Sequence, residues 1–195
     1  MQRETVNQIA SVGKISEEPL EILVPTVTAI IRSSDNPYEI LIGTSDKHPL
    51  PVLPGGKIDR ADLVSTSILE ASNNAVHREI QEETAVTIEK ITFFFEWQDR
   101  ERDVRVVPAR NLRESLVGEF LHEKRDDFLV NARYGVPDFV YIVDAKKELL
   151  PDSSELRQLS WVDLRKDRES LKLSAGHLEI IHRYLEGLES SFLGC

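Results

Sequence analysis

The apolar and polar positions along the chain alternate between two periods. Leu20–Arg32 is rich in β-branched residues (Ile22, Val24, Thr26, Val27, Thr28, Ile30, Ile31) and predicts a strand. Ser33-Ser34-Asp35-Asn36-Pro37 carries turn chemistry, and Tyr38–Gly43 resumes as a strand, so the pair predicts a hairpin. Pro49-Leu50-Pro51-Val52-Leu53-Pro54 holds too many prolines for a central strand and runs into Gly55-Gly56. From Ser72 to about Thr84 the period becomes helical: Ala75, Val76, Ile80 and Thr84 form a narrow stripe, with Ser72 or Asn73 as the cap. Three further strands are expected at Ile88–Trp97 (centred on Phe93-Phe94-Phe95), Asp138–Asp144 and Glu155–Leu164 (centred on Leu159 and Trp161). Ser174 is placed to cap a last helix whose Ile180, Ile181, Tyr184, Leu185 and Leu188 share one face. Within 99–137, Leu112, Leu116, Phe120 and Leu121 suggest a helix between Asn111 and about Asn131.

The order is strands, one central helix, more strands and a terminal helix. It predicts an α/β fold with a mixed sheet and flanking helices, not a regularly alternating parallel one. Residues 1–19 are polar, end at Glu17-Glu18-Pro19 and are expected to be an arm or a partner-docking segment. Residues 20–195 are expected to form one domain with an elaboration at 99–137, since 195 residues suit one well-buried core. The net charge of −10 opposes a non-specific grip on nucleic acid, which needs a basic footprint. Polyanionic small molecules stay open, because a bound divalent cation reverses the local sign. Cys195 is the sole cysteine, so no disulfide within the chain is expected, and no apolar run approaches the length of a membrane span. A cytoplasmic protein without a membrane partner is the expectation.

Arg78-Glu79-Ile80-Gln81-Glu82-Glu83 carries the chemistry. On a helix, Glu79 and Glu83 are one turn apart and Glu79 and Glu82 three residues apart, so the three carboxylates converge on neighbouring faces. Such like charges repel by about 0.2–0.5 kcal/mol per pair, and Glu82 and Glu83 sit at the helix end whose dipole disfavours them. A divalent cation among them reverses the balance, and hard oxygen ligands suit Mg²⁺ or Mn²⁺. By spacing alone, a solvated acidic helix face softened by an Arg78–Glu82 pair explains the hexapeptide equally well.

Upstream stands Leu53-Pro54-Gly55-Gly56-Lys57-Ile58-Asp59-Arg60-Ala61-Asp62. Together with Glu70, seven intervening residues and Arg78-Glu79-Ile80-x-Glu82-Glu83-x-x-Val86, it resembles the signature of the Nudix hydrolase family, G-x5-E-x7-R-E-U-x-E-E-x-G-U, where U is bulky and aliphatic. The resemblance spans about residues 22–188 and implies a Nudix-type α/β/α sandwich. Two positions depart from it. Thirteen residues separate Gly56 from Glu70 where the family has five, so either Glu70 or Asp62, which keeps the left-hand spacing, takes the first acidic position. Ala85 stands where the family has a glycine, a site that usually bends left-handed after the helix, at about 1–2 kcal/mol for a residue with a Cβ.

The resemblance implies Mg²⁺-dependent hydrolysis of a nucleoside diphosphate linked to another group, by a metal-activated water. Glu79 and Glu83 are expected as metal ligands, Glu82 as a further ligand or the group assisting the water, and Arg78 as the residue orienting a glutamate. Gly55 and Gly56 are expected beside the phosphates, and Arg32 is a weaker candidate for a phosphate contact. Glu101, Glu119, Glu123, Asp126 and Asp127 are open candidates for the general base. Trp97 and Phe95 could stack on a base but fit the core as well, and the five histidines read as structural or surface residues. Two other readings stand beside hydrolysis: a catalytically silent module that binds a nucleotide or metabolite, and a protein-interaction domain. The arm and the 99–137 elaboration could serve a homodimer.

Overall fold

The β-branched run expected as one strand is interrupted at Val24-Pro25. Proline cannot donate to a ladder, and Leu20–Leu23 (β1) and Thr26–Ser33 (β2) belong to different sheets. The computed structural model describes residues 20–45, 48–64, 67–98, 105–108, 129–147, 156–167 and 171–193. The chain divides into two units, one of Met1–Pro25 with Gln98–Pro137, the other of Thr26–Trp97 with Asp138–Cys195.

In the first unit, β1 runs parallel to Leu129–Gly135 (β8), Leu20 facing Ala132. Arg105–Pro108 (β7) pairs antiparallel with β8 on its other side. The helix expected at Asn111–Asn131 lies largely outside the described residues, and its last three positions are strand, not helix. The expected arm, 1–19, lies outside them as well.

The second unit is built on a sheet of order β10-β3-β2-β9-β6. Its strands are Arg157–Asp163 (β10), Glu39–Ser45 (β3), β2, Pro137–Ala145 (β9) and Ile88–Gln98 (β6). β2 and β3 are antiparallel, as the expected hairpin requires, and β2 and β9 are parallel, with Thr26 facing Asp138 and Ser33 facing Ala145. The sheet is therefore mixed. His48–Val52 (β4) pairs with β3 off the main path, where its prolines interrupt no central ladder. Gly55–Lys57 (β5) pairs antiparallel with the start of β2, Gly55 facing Thr28.

Period-two alternation sends residues to opposite faces. Val27, Ala29 and Ile31 of β2, with Phe139, Tyr141 and Val143 of β9, pack against Ala71, Ala75, Val76 and Ile80 of the helix Ile68–Glu83 (α1). Ile30 and Val140 point the other way, with Ile40 and Ile42 of β3. They meet Ile180, Ile181, Tyr184 and Leu185 of Ala175–Leu193 (α3), which follows the single turn Leu164–Asp167 (α2). Two cores thus sandwich the sheet between α1 and α3, the expected architecture. Burial of each large aliphatic contributes about 1.5–3 kcal/mol.

Helix α1 begins earlier than its periodicity predicts. Ser67, not Ser72 or Asn73, is the cap, its hydroxyl accepting from the Glu70 amide at 3.4 Å. Ser72 is buried, with its hydroxyl 2.9 Å from the Leu69 carbonyl and 2.6 Å from the Tyr141 hydroxyl. Ile68 and Leu69 of the first turn are exposed, so the buried stripe does not register them.

Candidate active site

The buried stripe of α1 runs Ala71, Ser72, Ala75, Val76, Glu79, Ile80, Glu83. Two carboxylates therefore occupy the last two core positions of the row 71-75-79-83, with Glu79 at 7% and Glu83 at 5% exposure. A buried carboxylate is strongly unfavourable unless charges or hydrogen bonds compensate it. Glu82, one position outside the stripe, is exposed.

The compensation for Glu83 comes from the glycine loop. The Gly55 N–H donates to Glu83 Oε2 at 2.8 Å, while the Ala29 N–H donates to the Pro54 carbonyl at 2.8 Å and ties the loop to β2. Gly55 has φ +151°, and a Cβ there would strike the Val27 carbonyl of the neighbouring strand. Gly56 is confined differently. A Cβ on it would lie 2.7 Å from Glu79 Oε2 and closer still to the rest of that carboxylate. Gly55 serves backbone approach to β2, and Gly56 leaves the room that the Glu79 carboxylate fills.

Arg78 joins the other groups. Its Nε and Nη2 hold both Asp62 oxygens, at 3.2 and 2.9 Å, and Nη2 also reaches the Lys57 carbonyl at 2.9 Å. Its Nη1 donates to Glu79 Oε1 at 2.8 Å and Glu82 Oε2 at 3.1 Å. Asp62 is buried at the end of a 3-10 turn, Arg60–Asp62, and accepts the Asp59 N–H at 2.8 Å. One helical turn before Arg78, Asn74 binds the Asp62 carbonyl at 3.1 Å. The Asp62 hydrogen bond pushes the Arg78 pKa further up, with burial opposing. Burial alone would raise the Asp62 carboxyl, but the hydrogen bonds from Arg78 and the Asp59 amide outweigh it and hold Asp62 below the usual carboxylate range. Of the two acidic residues left open by spacing, the structure brings Asp62 to this cluster. Glu70 lies exposed in the first turn of α1.

The helix ends at Thr84 and turns left-handed at Ala85. The Ile80 carbonyl accepts the Thr84 hydroxyl, Thr84 N–H and Ala85 N–H at 2.8, 2.9 and 3.0 Å, and Ala85 takes φ +53°. Alanine keeps the left-handed bend and bears its strain.

Other candidates fall elsewhere. Arg32 lies on β2 beside Asp144, at 2.6 Å, and Tyr184 of α3, at 3.4 Å, so the structure does not bring it to the glutamates. Phe95 and Trp97 pack on the α3 side, where the Arg183 guanidinium stacks on both rings. Trp161 is partly buried against the α1 core. His177 accepts the Leu53 N–H at Nδ1, 2.9 Å away, a contact that sequence spacing does not signal. The candidate bases Glu101, Glu119, Glu123, Asp126 and Asp127 lie outside the described residues.

No group of three or more His, Cys, Asp or Glu side chains among the described residues is already arranged around a metal position. Glu79 and Glu82 turn to Arg78, and Glu83 turns to the loop. The donor set nevertheless fits a hard divalent cation in its chemistry: three carboxylates within five residues, two of them shielded from water, beside a backbone with no side chain at Gly56. Among the described residues, no helix is long and apolar enough to cross a membrane.

The family model described as NUDIX domain matches residues 23–184. The fold is similar to that of the NUDIX domain of Shewanella oneidensis NrtR complexed with ADP ribose, at 19% identity over 93% of this chain and 97% of that one, with a TM-score of 0.56. It is similar to a MutT from work on the Aliivibrio salmonicida and Vibrio cholerae proteins, at 16% identity over 85% and 98%, TM-score 0.51. A Caenorhabditis elegans Ap4A hydrolase in a binary complex gives 14% identity over 86% and 98%, TM-score 0.50. No curated protein matches the chain. The structural likenesses are of fold, and the family match covers most of the chain: it belongs to the NUDIX family and is a Nudix-type hydrolase.

Proposed function

We propose that this hydrolase cleaves a phosphoanhydride bond in a nucleoside diphosphate linked to a further group, with Mg²⁺ or Mn²⁺ held by Glu79 and Glu83 and completed by Glu82. The observation that carries this reading is the meeting of two buried glutamates with one glycine loop. Gly55 N–H holds Glu83, and Gly56 lies under Glu79, so the shielded carboxylates face a backbone that a diphosphate can approach. When bound, the cation neutralises phosphate charge and lowers the pKa of the attacking water.

This chain's own residues do the rest. Arg78 fixes Glu79 and Glu82 from one guanidinium and is itself anchored on Asp62, so the glutamates share one frame. Glu82, the exposed member, meets solvent and hydrogen-bonds the attacking water. An O–P bond forms from that water, the bond from phosphorus to the bridging oxygen breaks, and the leaving phosphate carries away its electron pair. The water's proton passes to a carboxylate.

ADP-ribose and Ap4A, named with two of the similar structures, are the first substrates to assay. The test measures phosphate or nucleoside monophosphate release with and without Mg²⁺. Glu79→Gln and Glu83→Gln are each expected to lower kcat/KM by about a hundredfold or more, the range for loss of a group stabilising developing charge. Full Mg²⁺-dependent hydrolysis in both variants would remove the assignment.

A further inference from the structure

Pro51–Gly56 is held from both faces of the sheet. On the α1 side, Gly55 N–H donates to Glu83, and on the α3 side the Ser174 N–H reaches the Pro51 carbonyl at 3.4 Å. The second α3 contact is of another kind: the Leu53 N–H donates to His177 Nδ1 at 2.9 Å. Since that nitrogen accepts, it carries the lone pair, and the proton of the neutral ring sits on Nε2.

Only Pro54 separates Leu53 from Gly55. Its ring fixes φ near −65° and restricts the residue before it, so Leu53 and Gly55 are joined by a stiff link. The Pro54 carbonyl is in turn bound by the Ala29 N–H. Leu53 is 2% exposed, which leaves its amide little recourse to water if the imidazole is lost. The loop amide that holds Glu83 is therefore connected, through Pro54 and Leu53, to a histidine on the helix of the opposite face.

We propose that His177 is a positioning residue of the active site. It sets the Gly55-Gly56 backbone against Glu83 and Glu79 by accepting the Leu53 N–H. Its consequence for catalysis rests on the reading that these glutamates bind a divalent cation. Its consequence for the loop does not.

The full chain is compared with His177→Ala, which removes the acceptor, and with His177→Asn, whose Oδ1 can stand near the place of Nδ1. Amide exchange is read without added cation. Protection of the Leu53 and Gly55 amides is expected to fall about tenfold or more in His177→Ala and to return to within about threefold in His177→Asn. The apparent Mg²⁺ affinity, read from the Mg²⁺-induced rise in Tm, is expected to weaken about tenfold in His177→Ala and recover in His177→Asn. Unchanged Gly55 protection in His177→Ala, or an equal loss in both variants, overturns the proposal. If His177→Ala does not fold, His177→Leu, which fills more of the imidazole's space and carries no acceptor, takes its place under the same criteria. A wild-type chain with no Mg²⁺ response removes the cation-site reading, and Gly55 exchange still decides the role of His177.

Discussion

The Gly56 α-carbon lies against the Glu79 carboxylate, with no space between them for a methyl group. The two residues are on different elements, β5 and α1, and their contact defines how closely the loop approaches the helix. Gly56→Ala has to displace the carboxylate. It is expected to leave the fold intact, because the obstruction is the end of a side chain. The expected loss is at least about tenfold in apparent Mg²⁺ affinity, equivalent to about 1.4 kcal/mol. Titration of Tm with Mg²⁺ measures it, and unchanged affinity would show that this contact does not shape the cation site.

Gly55→Ala should behave differently. Its obstruction is the Val27 carbonyl, and its φ of +151° is one that residues with a Cβ rarely adopt. Such strain is about 1–3 kcal/mol. Denaturant unfolding is expected to show a loss of at least that size, with or without Mg²⁺. The pair separates the two constraints: Gly55→Ala is expected to lower stability even without Mg²⁺, whereas Gly56→Ala is expected to lower cation affinity with the fold retained.

Ala85 supplies a prediction of gain. Its φ of +53° places Cβ in the unfavourable left-handed region, and the residue is exposed. Ala85→Gly is expected to stabilise by about 1 kcal/mol or slightly less, the relief of strain being partly offset by the greater freedom of glycine in the unfolded chain. For a chain of this size that corresponds to about 2–4 °C in Tm. A fall in Tm would mean that the alanine methyl makes a compensating contact.

Asp62 makes part of the stability pH-dependent. Its folded pKa lies below its ordinary value of 3.8, so the charged form is favoured in the fold. The stabilisation is fully present above the unfolded pKa and is lost as pH falls through the lower, folded one. Asp62→Asn is expected to lose about 1–3 kcal/mol near neutrality, from the Arg78 donors left without their carboxylate. Its stability should also fall less steeply than wild type on acidification below about pH 4. Unfolding curves over that range compare the slopes, and identical slopes would remove Asp62 as a contributor.

What the sequence made legible follows the reach of each signal. The strands at Thr26–Ser33 and Pro137–Ala145 were legible as near-continuous β-branched and apolar runs, because both faces of the sheet are buried there, but nothing in those runs recorded that the two pair in parallel. The burial of Glu79 and Glu83 was not anticipated, because the predicted stripe began after Ala71, the residue that opens the row 71-75-79-83 which both glutamates continue. The true start of α1 was hidden because Ile68 and Leu69, 41% and 51% exposed, do not extend its buried stripe. Spacing left Asp62 and Glu70 both open, because only the fold records that Asp62 meets Arg78 while Glu70 lies exposed in the first turn of α1. The bond from Leu53 to His177 joins residues 124 apart, a separation no local pattern records.

Arg78 is the last test of the frame. Its guanidinium serves two Asp62 oxygens, the Lys57 carbonyl, Glu79 and Glu82 at once, from five N–H donors in one plane. Lysine keeps the charge, but its three donors radiate from a single nitrogen and cannot reproduce that fork. Arg78→Lys is therefore expected to lower kcat/KM about tenfold or more even where Mg²⁺ saturates, because Glu79 and Glu82 lose their common anchor. In a double-mutant cycle with Asp62→Asn, the stability effects should fall short of additivity by about 0.5–3 kcal/mol, the range for residues in one hydrogen-bond network. Additive effects would show that Asp62 and Arg78 act separately, and Arg78→Lys with wild-type kcat/KM would show that charge alone suffices at this position.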